Sequence, residues 1–141
     1  MVADSIVTKG SRAKPTITLS AHDYDRLSTL AHAARNRLPD LADELAEEIG
    51  RAHVLAVGKF PQNTVCMNST VDFRDEATGK AQQVTLVYPE EADISQRKIS
   101  VLTPIGTALI GLATGKSITW ETPTGEIRRL TILAVREPQD G

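Results

Sequence analysis

The 141-residue chain has a single cysteine, Cys66, and only five aromatic residues. One cysteine excludes an intramolecular disulfide and a zinc site built on several thiolates, and it fits a reducing compartment. So few aromatic side chains argue against a stacking platform for nucleic-acid bases and against an aromatic-lined ligand pocket. Polar residues interrupt the longest apolar stretches, so the sequence predicts no membrane span and no secretory leader. We therefore expect a cytoplasmic protein.

The chain also lacks a strong net charge, with 16 Lys and Arg residues against 18 Asp and Glu residues. This near-neutral total excludes the overall basic field that attracts nucleic acid, and we expect no sequence-specific DNA recognition. Residues 1–38 nevertheless hold six bases against three acids, and residues 39–50 hold five acids and no base. Residues 51–141 hold ten of each, so the uneven charge lies in the first third of the chain.

Residues 1–15 mix Ser, Gly, Lys, Arg and Pro without a period, which predicts a flexible arm. Its bases Lys9, Arg12 and Lys14 are typical of a solubilising tail and would also suit contact with nucleic acid or an acidic partner. Three charges are weak evidence for such a contact, so we interpret the arm as a solubilising tail.

Residues 16–54 carry the apolar period of two helices. Ser20 predicts a helix N-cap, with Asp23 three residues later as in a capping box. Apolar residues at spacings of three and four extend this helix to about Arg37. Pro39 suits a first helical turn, so a second helix is expected to begin there. Together they predict a short antiparallel hairpin.

The second helix separates apolar from acidic residues. Its apolar positions are Leu41, Leu45, Ile49 and Ala52. Its acids, mostly on the other side, are Asp40, Asp43, Glu44, Glu47 and Glu48. Carboxylates at these spacings could hold a hard cation such as Mg²⁺ with help from a partner. A solvated helix face, with Asp40 and Asp43 well placed in the helix dipole, explains them equally well.

From Thr64 the apolar period changes from 3.6 to 2, which predicts strands. The expected strands are 64–74, 84–88, 98–102, 117–121 and 126–135, with turns rich in Gly and Pro between them. Thr103 predicts a helix N-cap, with Pro104 at the first position of one short helix. We therefore predict an α+β fold, in which the hairpin at 16–54 precedes a small antiparallel sheet domain at 55–141.

Few residues predict catalysis. His22 and His32 lie nearly three helical turns apart and cannot share one ion on a straight helix. The sequence has no glycine-rich phosphate loop followed by its lysine. Cys66 lies within an alternating strand, which is the setting of an inert thiol. We expect no enzymatic activity and no intrinsic metal site.

Several stretches resemble a known family. They are residues 65–74, 86–89 and 123–125, together with the motif P-I-G-x-A-L-x-G-x-x-x-G-x-x-I-x-W from Pro104 to Trp120. Over about residues 16–136 the sequence is similar to the regulator of nucleoside diphosphate kinase (Rnk) family, which is related to the bacterial GreA and GreB transcription elongation factors. The resemblance implies an FKBP-like sheet domain that docks on RNA polymerase near its secondary channel. It also implies an antiparallel coiled coil that projects from this domain.

The resemblance gives the acids of the hairpin tip a candidate role. Gre factors use acidic tip residues on a long coiled coil to help bind a catalytic Mg²⁺ for transcript cleavage, and Asp40, Asp43 and Glu44 imitate these acids in type. The first helix here, at about 16 to 18 residues, spans only about 25 Å. We therefore expect polymerase binding and competition with Gre factors without strong stimulation of cleavage. No cofactor is expected beyond a Mg²⁺ ion shared transiently with polymerase.

The resemblance also points to two docking segments, an exposed loop and an exposed helix start. The candidate docking residues are Glu90, Asp93, Arg97, Thr103, Pro104, Ile105 and Gly106. The family name implies a link to nucleoside diphosphate kinase, which we interpret as indirect, and the family carries a general association with DNA binding.

Other functions stay open at this point. A Gre-type transcript-cleavage factor is the alternative within transcription. An FKBP-type peptidyl-prolyl isomerase and a general protein-interaction module are alternatives of other classes. The isomerase needs an aromatic-lined pocket, against which the sparse aromatic residues argue.

Overall fold

The computed structural model describes residues 15–122 and 124–136, and it shows a mixed α+β fold. The N-terminal part comprises β1 (Thr18–Leu19), α1 (Ala21–Ala34), α2 (Pro39–Gly50) and β2 (His53–Val54). The C-terminal part comprises β3 (Thr70–Asp75), β4 (Lys80–Val87), β5 (Lys98–Ser100), α3 (Pro104–Leu109), β6 (Ser117–Glu121) and β7 (Ile127–Arg136), with 3₁₀ turns at Pro89–Glu91 and Ile94–Gln96. The predicted arm, apart from Pro15, and the residues after Arg136 lie outside the described part of the chain.

The two helices form where the sequence predicts them. The Ser20 hydroxyl accepts a hydrogen bond from the backbone N–H of Asp23 at 3.1 Å, as an N-cap does. α1 ends at Ala34, short of the predicted Arg37, and its 14 residues span about 21 Å. α2 begins at Pro39, whose fixed φ and missing N–H suit a first turn. None of the helices in the described residues is long and apolar enough to cross a membrane.

The inner faces of the two hairpin helices are apolar and buried. They are Leu27, Ala31 and Ala34 of α1 and Ala42, Leu45 and Ile49 of α2. The expectation that Glu48 lies on the outer face is wrong, because only 4% of this residue is exposed. Its Oε1 accepts a hydrogen bond from Arg51 Nη2 at 2.6 Å, so the buried charge has an ionic partner.

The sheet has five strands in the order β5-β4-β3-β7-β6. Neighbouring strands are antiparallel, except that β4 and β5 pair in parallel from Thr85↔Lys98 to Val87↔Ser100. The prediction of a wholly antiparallel sheet is therefore wrong at this edge. The two 3₁₀ turns carry the chain back along β4 before β5 begins, so both strands run in the same direction.

The first strand of the sheet starts later than predicted. Buried side chains do alternate, at Val65, Met67, Ser69, Val71 and Phe73. The strand nevertheless begins only at Thr70. Before it, the Ser69 hydroxyl accepts a hydrogen bond from the Cys66 N–H at 2.9 Å, and Asn68 takes a left-handed φ of 72°. A turn therefore interrupts the predicted strand, although Thr64 forms an isolated bridge with Ala113 and the backbone of residues 68 and 69 bonds to Leu86.

One continuous hydrophobic core joins the hairpin to the sheet. The Thr18 N–H donates to the carbonyl oxygen of Gly111 at 3.1 Å, which ties β1 to the segment after α3. Gly111 has a φ of +81°, and a Cβ atom there would lie 2.7 Å from Ile17 Cβ. Glycine is required at this position because the two segments approach so closely.

Candidate functional site

A cleft of about 300 Å³ separates α2 from α3 and β6. Its lining residues are Asp40, Leu41, Glu44 and Glu48 from α2, Pro104, Thr107 and Ala108 from α3, and Ile118, Thr119, Trp120, Glu121 and Thr122 from β6 and its end. Asp40 and Glu48 lie near opposite ends of α2, so this helix runs beside the sheet domain. The hairpin therefore lies against the domain, whereas the resemblance implies one that projects from it.

The cleft divides the acids that the sequence groups at the hairpin tip. Asp40 and Glu44, together with the buried Glu48, follow one another at intervals of four residues and share one side of α2. Asp43 instead lines a groove between α2 and α1, beside His32 and Arg35. The described residues contain no group of three or more His, Cys, Asp or Glu side chains able to hold a metal ion. The three predicted tip acids therefore face two different surfaces.

The opposite wall of the cleft is the edge strand β6. Five consecutive residues, 118–122, line the cleft. Because successive side chains of a strand point to opposite faces, a consecutive run of lining residues means that the cleft follows the strand edge. Trp120 is the only tryptophan in the sequence, and its indole Nε1 is buried without a hydrogen-bond partner among the described residues. The sequence places this residue in the core by default and does not predict its position in the cleft.

The predicted docking turn forms the start of α3. The Thr103 hydroxyl accepts a hydrogen bond from the Gly106 N–H at 3.0 Å and donates one to the Ser100 carbonyl at 2.7 Å, which confirms the predicted cap. Pro104 lines the cleft and Ile105 is half-buried. Gly106 is buried, and a Cβ atom there would lie 2.2 Å from the Ser100 carbonyl oxygen. Gly106 therefore allows close packing of α3 and offers little surface to a partner.

The other predicted docking segment is the exposed loop between β4 and β5. Asp93 caps its second 3₁₀ turn, because its Oδ1 accepts hydrogen bonds from the Ser95 hydroxyl at 2.6 Å and the Ser95 N–H at 3.0 Å. These bonds lower the pKa of Asp93. Arg97 ends the turn in a left-handed conformation with a φ of 58°. Glu90 lines a groove with Arg26 and does not line the cleft.

On the α1 side, polar and aromatic contacts join the hairpin to the sheet domain. Asp23 is buried, and its Oδ2 accepts a hydrogen bond from the Met67 N–H at 3.1 Å. Burial raises the pKa of Asp23, and this effect exceeds the opposing effect of the Met67 bond. The Arg26 guanidinium lies 4.2 Å from the centre of the Tyr88 ring. Burial, followed by the nearby charge of Asp23, raises the pKa of Tyr88 to about 12.

A second cavity of about 520 Å³ lies beside the Asp23 contact. His22, Asp23 and Cys66 all contribute to its lining, as does Phe60, which is 65% exposed. The structure thus brings the cysteine and a hairpin histidine to one cavity, which the sequence alone did not predict. The carboxylate of Asp23 accepts from Met67 and the thiol of Cys66 lies 3.5 Å from the Thr64 carbonyl oxygen.

Comparisons with known proteins identify the family. Residues 61–137 match the family model described as transcription elongation factor, GreA/GreB, C-term, and residues 15–55 match the Rnk N-terminus. The chain is 36% identical over 121 residues to the regulator of nucleoside diphosphate kinase of Escherichia coli strain K12, covering 86% of this chain and 89% of that protein. The chain belongs to the Rnk family. Its C-terminal half carries the GreA/GreB region that this Rnk-family chain shares with elongation factors.

Two further relatives place the Rnk-family chain beside elongation factors. It is 36% identical over 95 residues to the transcription elongation factor GreA of Thermodesulfovibrio yellowstonii, covering 65% of this chain and 60% of that protein. A solved structure described as a prokaryotic transcription elongation factor GreA/GreB from Nitrosomonas europaea is 41% identical and superposes with a TM-score of 0.69, covering 88% of this chain and all of that one. The GreA/GreB-like fold is therefore shown.

The two family matches meet at the cleft. The acidic wall of the cleft, formed by Asp40, Glu44 and Glu48 of α2, lies within the segment matched to the Rnk N-terminus. α3 and β6 lie within the GreA/GreB match. The site is thus assembled from both halves of the Rnk-family chain.

Proposed function

We propose that this Rnk-family chain is a non-enzymatic regulator of transcription elongation that binds RNA polymerase near the secondary channel and competes there with Gre factors. The family membership supports a role like that of elongation factors. The proposed link to nucleoside diphosphate kinase is indirect, through transcription. The proposed site of action is the bacterial cytoplasm.

The position of the acids at the hairpin tip supports a regulator that binds polymerase without strong stimulation of transcript cleavage. Asp40 and Glu44 lie on a cleft wall opposite the chain's own sheet domain, and Asp43 lies in the groove toward α1. α1 spans only about 21 Å. Acids arranged in this way support binding without strong stimulation of cleavage, because they neither converge on one ion nor extend far from the domain. A Mg²⁺ ion would be shared only transiently with polymerase.

We place the docking surface on the exposed loop between β4 and β5 and on the start of α3. Pro104 and Ile105 are half-buried and Gly106 is buried, so the expectation of an exposed helix start is wrong. Pro104 and Ile105 mark the start of α3, and Glu90, Asp93 and Arg97 belong to the shaped loop between β4 and β5. In this proposal residues 55–141 act as an FKBP-like docking domain and residues 16–54 as a short coiled coil. Pro15 accepts a hydrogen bond from Arg51 Nη1 at 2.7 Å, and the arm that precedes it has no role in this proposal.

Capture of purified core RNA polymerase by the tagged chain tests the proposal. We expect the wild-type chain to retain polymerase, and an excess of GreA to displace it. Glu90→Arg reverses a charge on the proposed docking loop and should weaken capture by about tenfold. Glu47→Arg makes the same charge change at an exposed position on α2 and should leave capture nearly unchanged. Failure of the wild-type chain to capture polymerase, or simultaneous retention of GreA, would contradict the proposal.

The isomerase alternative receives little support from the cleft. Trp120 is the one aromatic residue among the described residues that line the cleft. Four of the other lining residues carry carboxylates. FKBP-type substrate sites need an apolar, aromatic lining for the proline ring. The cleavage-factor alternative is separated by measuring transcript shortening directly.

A further inference from the structure

We propose that the cleft between α2 and β6 binds an extended basic peptide segment of a partner protein, and that this segment adds to the outer edge of β6. The proposal goes beyond the regulatory function above and does not depend on polymerase binding. It joins three features of one cleft, namely a strand edge that has no partner strand in the described part of the chain, a row of carboxylates and a buried indole N–H.

The strand edge supplies the backbone groups. In the described part of the chain, β6 pairs only with β7, and it ends the sheet. The Thr122 N–H donates to the Glu126 carbonyl at 2.8 Å, and the Ile132 N–H donates to the Lys116 carbonyl at 2.9 Å. Hydrogen-bonded positions alternate along an antiparallel strand, so even-numbered residues of β6 bond toward β7. The N–H and C=O groups of Thr119 and Glu121 therefore point to the outer edge, where an extended peptide can pair with them.

The facing wall supplies the charge that selects the peptide. Four acids line the cleft, at Asp40, Glu44, Glu48 and Glu121, and no Lys or Arg is among its described lining residues. Arg51 balances part of this charge through its bond to Glu48. A segment with Arg or Lys at every second position would direct its cationic side chains to α2 while its backbone pairs with β6. An acidic or neutral segment lacks this complementarity.

Trp120 supplies a further contact in the cleft. Its buried Nε1–H has no partner among the described residues, and a buried donor without an acceptor is costly. A peptide carbonyl would satisfy this donor, and an Arg side chain can stack on the indole face. Trp residues in such pockets often contribute strongly to binding.

Fluorescence of Trp120 provides the test, because the full chain has no other tryptophan. The probe is a nine-residue peptide of alternating arginine and valine with blocked ends. We expect a saturable change in tryptophan emission, and no change with a peptide in which glutamate replaces arginine. The double variant D40N/E44Q should weaken binding about tenfold. The matched double variant D43N/E47Q removes the same charge from α2 outside the cleft and should change affinity less than about twofold.

Backbone methylation separates strand pairing from simple charge attraction. Two further peptides carry N-methyl groups either on all arginines or on all valines. Strand addition predicts that one of the two loses binding and the other keeps it, because only alternate N–H groups face β6. Equal affinities of the two methylated peptides, or equal losses in the two double variants, overturn the proposal.

A chain that begins at Pro15 tests the other occupant, the chain's own segment with Lys9, Arg12 and Lys14. If this truncation alone changes the emission and raises peptide affinity, the proposal of a partner segment is overturned.

Discussion

The hairpin meets the sheet domain along two seams that differ in kind. On the α1 seam, the Asp23 carboxylate bonds to the Met67 backbone and Arg26 covers Tyr88, so side chains of the hairpin contact the domain directly. On the α2 seam, a cleft of about 300 Å³ lies between a row of carboxylates and the edge of β6. Direct side-chain contacts thus join α1 to the domain, with the cavity of about 520 Å³ beside them, whereas along α2 the charged side chains line the cleft itself.

This difference separates stability from recognition. A buried carboxylate that accepts a backbone hydrogen bond holds two segments in register, and its loss exposes an unsatisfied donor. Exposed carboxylates along a cleft, such as Asp40 and Glu44, contribute less to the fold and more to what the cleft can bind. Substitutions on the α1 seam should therefore change the free energy of unfolding, and those on the acidic wall should change binding.

The largest effect is expected at Gly106, which sets the distance between α3 and the preceding segment. In Gly106→Ala the new Cβ atom would lie 2.2 Å from the Ser100 carbonyl oxygen. The helix α3, which lines the cleft beside α2, must therefore shift. We expect a loss of about 3 kcal/mol in the free energy of unfolding, measured with urea. Gly50→Ala is the control, because its new methyl group would meet no neighbouring element within 4 Å, and it should be neutral or stabilising. Equal losses in both variants would refute this role.

The next effect is expected on the α1 seam itself. Asp23→Ala removes the acceptor for the Met67 N–H and should lower the free energy of unfolding by about 2 kcal/mol. Asp23→Asn keeps an acceptor oxygen and should lose about half as much. Asp25→Ala changes an exposed acid on the same helix and should fall within about 0.5 kcal/mol of wild type. If Asp25→Ala lowers the free energy of unfolding as much as Asp23→Ala does, the bond from Met67 to Asp23 does not stabilise this contact.

The pH dependence of stability should differ between Asp23 and Asp75. Burial raises the pKa of Asp23, so its contribution is greatest below its ordinary value of 3.8 and is lost as the pH rises through the raised pKa. Burial also acts to raise the pKa of Asp75, but hydrogen bonds from Ala77 and Arg128 bring it below 3.8. Its contribution is present above pH 3.8 and is lost as the pH falls.

Urea unfolding between about pH 3 and 7 measures both contributions. Relative to Asp23→Asn, wild type should gain stability as the pH falls. Relative to Asp75→Asn, it should lose stability as the pH falls below about 4. Parallel curves for the two variants would show that burial of Asp23 does not dominate its titration.

The smallest effects concern the Tyr88 contact. Arg26→Ala removes the cation from the ring face and should cost about 0.5 to 1 kcal/mol of unfolding free energy. Tyr88→Phe keeps the ring and removes a buried hydroxyl that has no hydrogen-bond partner among the described residues, so stability should stay equal or rise slightly. A loss above about 1 kcal/mol in Tyr88→Phe would mean that the hydroxyl has a partner.

Local signals in the sequence predict much of the fold. Ser20, Pro39, Thr103 and Pro104 mark helix starts because capping and proline geometry act within a few residues. The bounds of β6 agree with the prediction for the same reason, since its alternation and flanking turns are local. The parallel pairing of β5 was missed because strand direction depends on how the whole connection folds back.

The site was less predictable because it depends on distant segments. Asp40, Glu44 and Pro104 were each identified, but their common cleft requires α2 to lie beside α3. Asp23 looked like a capping residue, and its bond to Met67 spans 44 residues of chain. Glu48 looked exposed because helical periodicity does not show which element covers a face. Trp120 ends the motif that carries the family resemblance and lies in a predicted strand, but neither signal indicates a cleft.

Transcript shortening in stalled elongation complexes tests the central claim most directly. The chain is added to the complexes at a concentration that saturates polymerase capture, and the RNA is followed on a gel beside a GreA control. The account predicts that the transcript shortens only at the intrinsic rate of polymerase. It also predicts that Asp40→Asn and Asp43→Asn leave this rate unchanged. Rapid shortening comparable with GreA, abolished by either substitution, would contradict it, because the acids would then reach the polymerase active site.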